Sequence, residues 1–488
     1  DDRRRTHDMN TANWIPDLFI KRVLADADWT LFSPADTPDL HDLYGLAFEK
    51  AYEGYEQLAE AGEIPHKKIR ATELWMKMIK MIYETGHPWF TFKDACNIRS
   101  PQQHTGVVHS SNLCTEITLN TSREEIAVCN LGSINLVAHM RGSQLDEEMI
   151  AATVKTAIRM LDNVIDLNYY SVDKARNSNM RHRPIGLGMM GFQDCLYEAG
   201  ITYDSQEAVE FADRSAELIA YHAYWASSDL AVERGRYESY DGSLWSRGIL
   251  PPDTLAMLAA ERNNGEKPKV NGAIDSPYLQ IDMSAQLDWN KLRAKISKDG
   301  IRNSNCLAIA PTATIANIVG VTASIEPTYQ NLFTKSNLSG EFKTINGRLV
   351  RDLQKLGLWD ALMISEIKQH DGEIGAIERI PENIRRRYVT AFNIDQKWLI
   401  EAAGRRQKWL DQAQSLNLYV ANPRGRDLAA LYTLAWQRGL KTTYYLRSIQ
   451  ASSTEKYSTH ATGNMNSVKI PEATACSIND PECESCAG

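Results

Sequence analysis

Residues 110–117 read Ser110-Ser111-Asn112-Leu113-Cys114-Thr115-Glu116-Ile117. If the backbone there is extended, as Thr115, Ile117 and Thr118 favour, side chains two positions apart share a face. Asn112, Cys114 and Glu116 then stand together as an amide, a thiol and a carboxylate. The amide can hold a hydroxyl by hydrogen bonds, the carboxylate can take its proton, and the thiol can act at the adjacent carbon. A buried structural cysteine between turn residues fits the same spacing, because cysteine is often simply buried. The segment alone leaves both readings open.

Moving outward along the chain, Cys129-Asn130-Leu131-Gly132-Ser133-Ile134-Asn135-Leu136 offers a second thiol on a β-like stretch, or a core cysteine in a strand. Pro311-Thr312-Ala313-Thr314-Ile315 follows the apolar run Cys306–Ala310 and precedes a helical pattern, a plausible phosphate cradle of helix N-terminal amides. Many strand-to-helix junctions share that composition. Tyr444 and Tyr445 are adjacent in a strand-like stretch, where packing alone accounts for such pairs and one ring faces each side. Near the end, Cys483-Glu484-Ser485-Cys486 can cycle between dithiol and disulfide or contribute to a zinc site. Zinc needs four ligands, and the nearest extras, Cys476 and His460, are irregularly spaced, so redox chemistry is the better reading. No metal-ligand set is assigned. Gly186-Leu187-Gly188-Met189-Met190-Gly191 matches G-x-G-x-x-G literally. It follows Arg181-His182-Arg183-Pro184, which is no strand, so the context of a dinucleotide fingerprint is missing and close helix packing explains the glycines. The run Arg385-Arg386-Arg387 reads as a solvated helix face.

The chain has 488 residues, 43% of them hydrophobic, and a formal net charge of −8. It can bury a large core, and its acidity argues against a nucleic-acid surface. No apolar run approaches the roughly 18 residues of a membrane span, and residues 1–10 lack a signal peptide's apolar stretch. Eight cysteines form no disulfide scaffold, which fits a cytoplasmic protein with reduced thiols. Cap, proline and glycine signals predict helices over Leu40–Leu58 (after Thr37-Pro38), Thr72–Gly86, Asp146–Leu167 and Ser205–Gly235. Short β-rich stretches lie between and beyond them at Trp89–Phe92, Ile126–Cys129, Cys306–Ala310 and Thr442–Leu446. This alternation predicts an α/β fold with a largely parallel sheet or a barrel over 1–460. From 461 to 488 the composition turns polar, which predicts a flexible tail.

Taken together and in order, these segments, with Ser324-Ile325-Glu326-Pro327, resemble the large subunit of class I ribonucleotide reductases. The resemblance implies a ten-stranded α/β barrel with a catalytic finger loop inside it. By it, Cys114 would carry a thiyl radical, Glu116 would take the substrate's 3′-hydroxyl proton and Asn112 would hydrogen-bond the substrate. Cys129 would be one of two thiols that reduce the 2′-carbon. Thr312, Ala313, Thr314 and Ile315 would bind the phosphates of a ribonucleoside diphosphate. Tyr445 and then Tyr444 would relay the radical from a metal cofactor in a partner small subunit, so no cofactor is expected on this chain itself. Cys483 and Cys486 would re-reduce the site and be recharged by thioredoxin or glutaredoxin. The family's other active-site redox cysteine has no match here; Cys96 does not fit it. The chain lacks a starting Met, and Arg5–Asn10 is similar to the middle of that family's sequence. It is therefore expected to be a C-terminal portion with an incomplete barrel, partnered by the missing N-terminal segment or a second copy of the subunit. Two enzymatic rivals are an adenosylcobalamin-dependent reductase, which needs no tyrosine relay, and a dinucleotide-dependent oxidoreductase resting on Gly186–Gly191. A zinc module borne on the tail is the non-enzymatic one.

Overall fold

Helix boundaries follow their capping residues in a computed structural model, which describes residues 9–337, 340–421 and 424–448 and the strands Lys456–Thr459 and Met465–Val468. Asp146 accepts the N–H of Met149 and opens the helix Glu147–Leu167; Ser205 accepts that of Ala208 and opens Gln206–Arg234. Each cap satisfies a donor left free by the first turn and contributes about 1 kcal/mol. Gly86, at φ 77°, closes Ala71–Thr85 in the left-handed conformation that glycine adopts without strain. The helix predicted over Leu40–Leu58 is split. Thr37 and Pro38 open only a short 3-10 turn, Pro38–His41, and the α-helix proper runs Gly45–Glu60. Gly45 sits at φ 59° with its N–H on Asp94 Oδ1 at 2.8 Å, which turns the chain before the helix begins.

Interstrand hydrogen bonds trace one curved arc. Ala12–Ile15 pairs in parallel with Trp89–Phe92, and Thr91 bridges antiparallel to Thr442. Tyr444 N–H donates to Leu416 O at 2.8 Å, and Leu418–Val420 runs parallel to Leu446–Ser448. Gln414 bridges Ile309, Leu307 bridges Leu187, and Gly186–Met190 pairs in parallel with Leu131–Asn135. Among the described residues the arc does not close on itself. The expected barrel is thus seen as an open, largely parallel arc between helices, and its strand Gly186–Met190 is buried throughout, as parallel strands covered on both faces are.

Four local expectations change. Gly186-Leu187-Gly188 is itself a strand: a Cβ on Gly188 would lie 2.6 Å from Ala308 O, so these glycines admit a neighbouring strand and not a helix. Ile126–Cys129 forms no strand, and Ile126 N–H donates to Lys174 O. Cys306–Ala310 makes only single bridges, because the Asp411 carboxylate takes the N–H groups of Cys306 and Leu307 at 2.6 and 3.0 Å. Thr442–Leu446 likewise shares its bonds between two neighbours before regular pairing begins at Leu446: Thr443 N–H reaches Phe90 O, and Leu418 N–H reaches Tyr445 O.

Behind the arc, Arg262 donates from Nε and Nη2 to the two Asp17 oxygens at 2.9 and 3.0 Å, and Trp436 Nε1 donates to Asp17 Oδ1 at 2.5 Å. All three side chains are buried, and the guanidinium lies over the Trp436 ring, 4.1 Å from its centroid. The Asp17–Trp436 hydrogen bond joins the segment after Ala12–Ile15 to the helix Gly425–Gln437, which leads into residues 441–445. Among the described residues no helix is long and apolar enough to cross a membrane. His460, Cys476, Cys483 and Cys486 lie outside the described residues.

Candidate active site

Residues 107–121 form a loop closed at its base by an antiparallel bridge between Val107 and Thr121. The extended backbone expected at its tip is replaced by a turn: Thr115 N–H donates to Asn112 O at 3.1 Å, and Thr115 stands at φ 66°. A β-branched residue in this region is strained by about 1–2 kcal/mol, so something outside must hold it. Three consecutive carbonyls are held by the arc. Cys114 O accepts from Ser415 Oγ at 2.5 Å, Thr115 O from Thr442 Oγ1 at 2.8 Å, and Glu116 O from Ala413 N–H at 2.9 Å.

The turn still brings Asn112, Cys114 and Glu116 together. Asn112 Oδ1 accepts from Ile117 N–H at 3.0 Å, and Ser415 Oγ, already on the Cys114 carbonyl, lies 3.2 Å from Glu116 Oε2. Burial pushes the Glu116 carboxyl above its ordinary value, against the hydrogen bonds of Asn112 and Ser415. A raised carboxyl is better matched to accepting a proton near neutrality. Burial also raises the Cys114 thiol, opposed by the Tyr444 hydroxyl and reinforced by Glu116, so the sulfur keeps its hydrogen at neutral pH.

Cys129 joins the same site. Its thiol is pushed up to about 11 by burial first, then by the neighbouring Glu116 carboxylate and Cys114 thiol. The residue keeps an exposed surface even so, as a group on the wall of an open site does. Cys96, Cys195 and Cys306 are buried, and Cys96 Sγ donates to Lys441 O at 3.4 Å.

On the arc side, Tyr444 OH points to Cys114 Sγ at 3.6 Å. The Tyr444 and Tyr445 rings lie 4.5 Å apart between centroids, and Tyr445 OH donates to Asn10 Oδ1 at 3.2 Å. Trp89, 3% exposed, touches both rings, with centroids 5.0 Å from Tyr444 and 5.3 Å from Tyr445. Sulfur and two phenols thus form an unbroken series walled by an indole.

Thr312 stands at φ 53° and its Oγ1 accepts from Ser324 N–H at 2.7 Å. It caps the short helix Ala313–Val319, on which Ala313, Thr314 and Ile315 are exposed. This turn leaves the arc just beyond Ile309, whose carbonyl takes the N–H of Ser415 at 2.9 Å. The cap and the loop tip therefore hang from one pair of neighbouring segments.

Residues 1–446 match a family model described as the ribonucleotide reductase barrel domain. The chain belongs to the ribonucleotide reductase family. This reductase chain is 57% identical over 457 residues to the ribonucleoside-diphosphate reductase subunit alpha of Chlamydia pneumoniae, covering 93% of this chain and 43% of the relative. Against that of Chlamydia muridarum it is 56% identical, covering 93% and 42%. The large subunit of Caenorhabditis elegans is 38% identical over 494 residues, covering 100% and 59%. The reductase chain therefore spans about half the length of the curated relatives it matches.

A dinucleotide-dependent oxidoreductase loses its basis within this reductase fold, because Gly186 and Gly188 lie inside a strand and not in the turn after it, where a pyrophosphate would need them. Sequence reading missed Ser415, Thr442 and Trp89. Trp89 and Thr442 were legible only as strand residues and Ser415 lay outside any motif; nothing local links Thr442 to Thr115, 327 positions away.

Proposed function

We propose that this reductase chain carries the radical chemistry that converts ribonucleoside diphosphates to deoxyribonucleoside diphosphates. The observation that carries the reading is the series Tyr445, Tyr444, Cys114, with the last phenol 3.6 Å from the thiol. The radical originates at a metal cofactor of a partner small subunit. Tyr445 as a phenoxyl radical takes the hydroxyl hydrogen of Tyr444, and Tyr444 in turn takes the hydrogen of the Cys114 thiol. The Cys114 sulfur radical then abstracts the 3′-hydrogen of the ribose, while Asn112 holds the hydroxyls and Glu116 receives the 3′-hydroxyl proton. The 2′-hydroxyl leaves as water, taking up a proton. Cys129 and a second thiol supply two electrons and two protons and end as a disulfide, after which Glu116 returns the 3′-hydroxyl proton and Cys114 the 3′-hydrogen. The net change is one ribonucleotide and one dithiol to one deoxyribonucleotide, one disulfide and one water.

The N-terminal amides of Ala313, Thr314 and Ile315 suit the diphosphate, since free donors of a first turn favour anions. Thr312 fixes that turn. Cys483 and Cys486 re-reduce the active-site disulfide by thiol–disulfide exchange, and thioredoxin or glutaredoxin recharges them. A tyrosine pair leading to the thiol supports the small-subunit route over adenosylcobalamin, which generates its radical beside the cysteine.

The test is deoxynucleotide formation from a ribonucleoside diphosphate, with dithiol, a class I small subunit and the N-terminal part of the large subunit supplied. Turnover that disappears in Cys114→Ser is the expected result. Turnover that survives this substitution overturns the reading.

A further inference from the structure

Outside this site, one cleft carries a second set of ligating groups. It has a volume of about 560 Å³ and lies at the base of the 107–121 loop, between that loop and the 3-10 turn Pro38–His41. His41, Asp42 and His109 line it, with one ligand atom from each lying within 4.8 Å of the others. His109 Nε2 is 2.7 Å from Asp42 Oδ1, and the His41 and His109 rings stack with centroids 4.4 Å apart. On its other edge His109 Nδ1 is 2.9 Å from Thr121 Oγ1, the residue whose bridge to Val107 closes the loop.

We propose that His41, Asp42 and His109 bind a divalent transition ion of the zinc type and that the ion ties the loop base to residues 38–42. Two imidazoles and a carboxylate are the donor set that borderline ions prefer, with open positions left for water. The Thr121 hydroxyl supplies the outer hydrogen bond that fixes the orientation of a ligating imidazole. Ligands around a tetrahedral ion with bonds of about 2.0–2.1 Å stand about 3.4 Å apart. Closing from 4.8 Å takes only side-chain rotation, because His41 and Asp42 are exposed. The open cleft is the entry path. The two cations nearby do not occupy the ligand positions: Lys93 Nζ donates to Leu40 O and His41 O, and Arg123, at the rim, lies 3.9 Å from Glu124. Cys114 follows His109 by five residues, so the ion would stiffen the root of the loop that carries the thiol.

Cobalt(II) titration of the full chain separates this site from thiol sites, since thiolate ligation adds an intense charge-transfer band that nitrogen and oxygen ligands lack. The expected result is one equivalent of cobalt showing d–d absorption without that band, displaced by zinc. His41→Ala and His109→Ala each weaken it about tenfold or more, and the double variant abolishes it. Asp42→Asn, an exposed change, is the control should a histidine variant melt early. Limited proteolysis within 106–123 slows when the ion is bound. Absence of cobalt binding, a thiolate band accounting for all of it, or equal binding by the double variant overturns the proposal.

Discussion

The two ends of the candidate site are built in opposite ways. At the tyrosine end, Tyr444 comes from a segment 330 residues beyond Cys114 and meets both Cys114 and Trp89, while hydrogen bonds across the arc clamp the loop that carries the thiol. At the other end, Thr312 to Ile315 form a single local turn on which Ala313, Thr314 and Ile315 are exposed, the proposed anion cradle. A radical relay demands fixed distances between named atoms and little water, and only nonlocal packing supplies these. An anion cradle demands only that a few N–H groups point the same way, which a helix start supplies by itself.

The contrast predicts very unequal responses. Tyr444→Phe keeps the ring against Trp89 but removes the transferable hydrogen. Deoxynucleotide formation should fall by at least about 10³-fold while the melting temperature stays put, and a variant that retains turnover breaks the contrast at its strongest point. Asp17→Ala, behind the same end, leaves Arg262 buried without its carboxylate and should cost about 3–5 kcal/mol in urea unfolding. A loss below about 1 kcal/mol would mean that the tyrosine wall needs no such anchor. Cys129, with its thiol raised to about 11, should be alkylated at pH 8 about two orders of magnitude more slowly than an unperturbed thiol of pKa about 8.5. Because only the thiolate reacts, its rate should rise about tenfold per pH unit up to about pH 11, as peptide mapping by mass spectrometry would show. At the opposite end, Thr312→Ala removes one hydrogen bond to Ser324 N–H and should raise KM by a few-fold to about tenfold, or about 0.5–1.5 kcal/mol, with kcat unchanged. A fall in kcat comparable to that of Tyr444→Phe would show that the two ends are not built differently after all.

What could be read from the residues alone divides along the same line. Asp146 and Ser205 announced their helices correctly because a cap and its partner lie three residues apart. The trio Asn112, Cys114 and Glu116 was legible as a set, though by the wrong geometry. Alternation predicted a strand, whereas the turn at Thr115 is maintained by Ser415 and Thr442, which no local pattern points to. The split at Asp42–Tyr44 was hidden for the same reason, since Gly45 is held by Asp94. Gly188 misled because the obstacle that excludes a side chain there is the Ala308 carbonyl of another segment. The local half of the information is in the sequence order; the other half exists only once the arc has assembled.

The Ser415 hydroxyl donates to the carbonyl of Cys114 and lies 3.2 Å from the carboxylate of Glu116. A thermal displacement of that segment therefore carries the sulfur and the carboxylate the same way, like two marks on one ruler. Their absolute positions wander with the scaffold, while the spacing between them stays in tolerance without either group having to be rigid by itself.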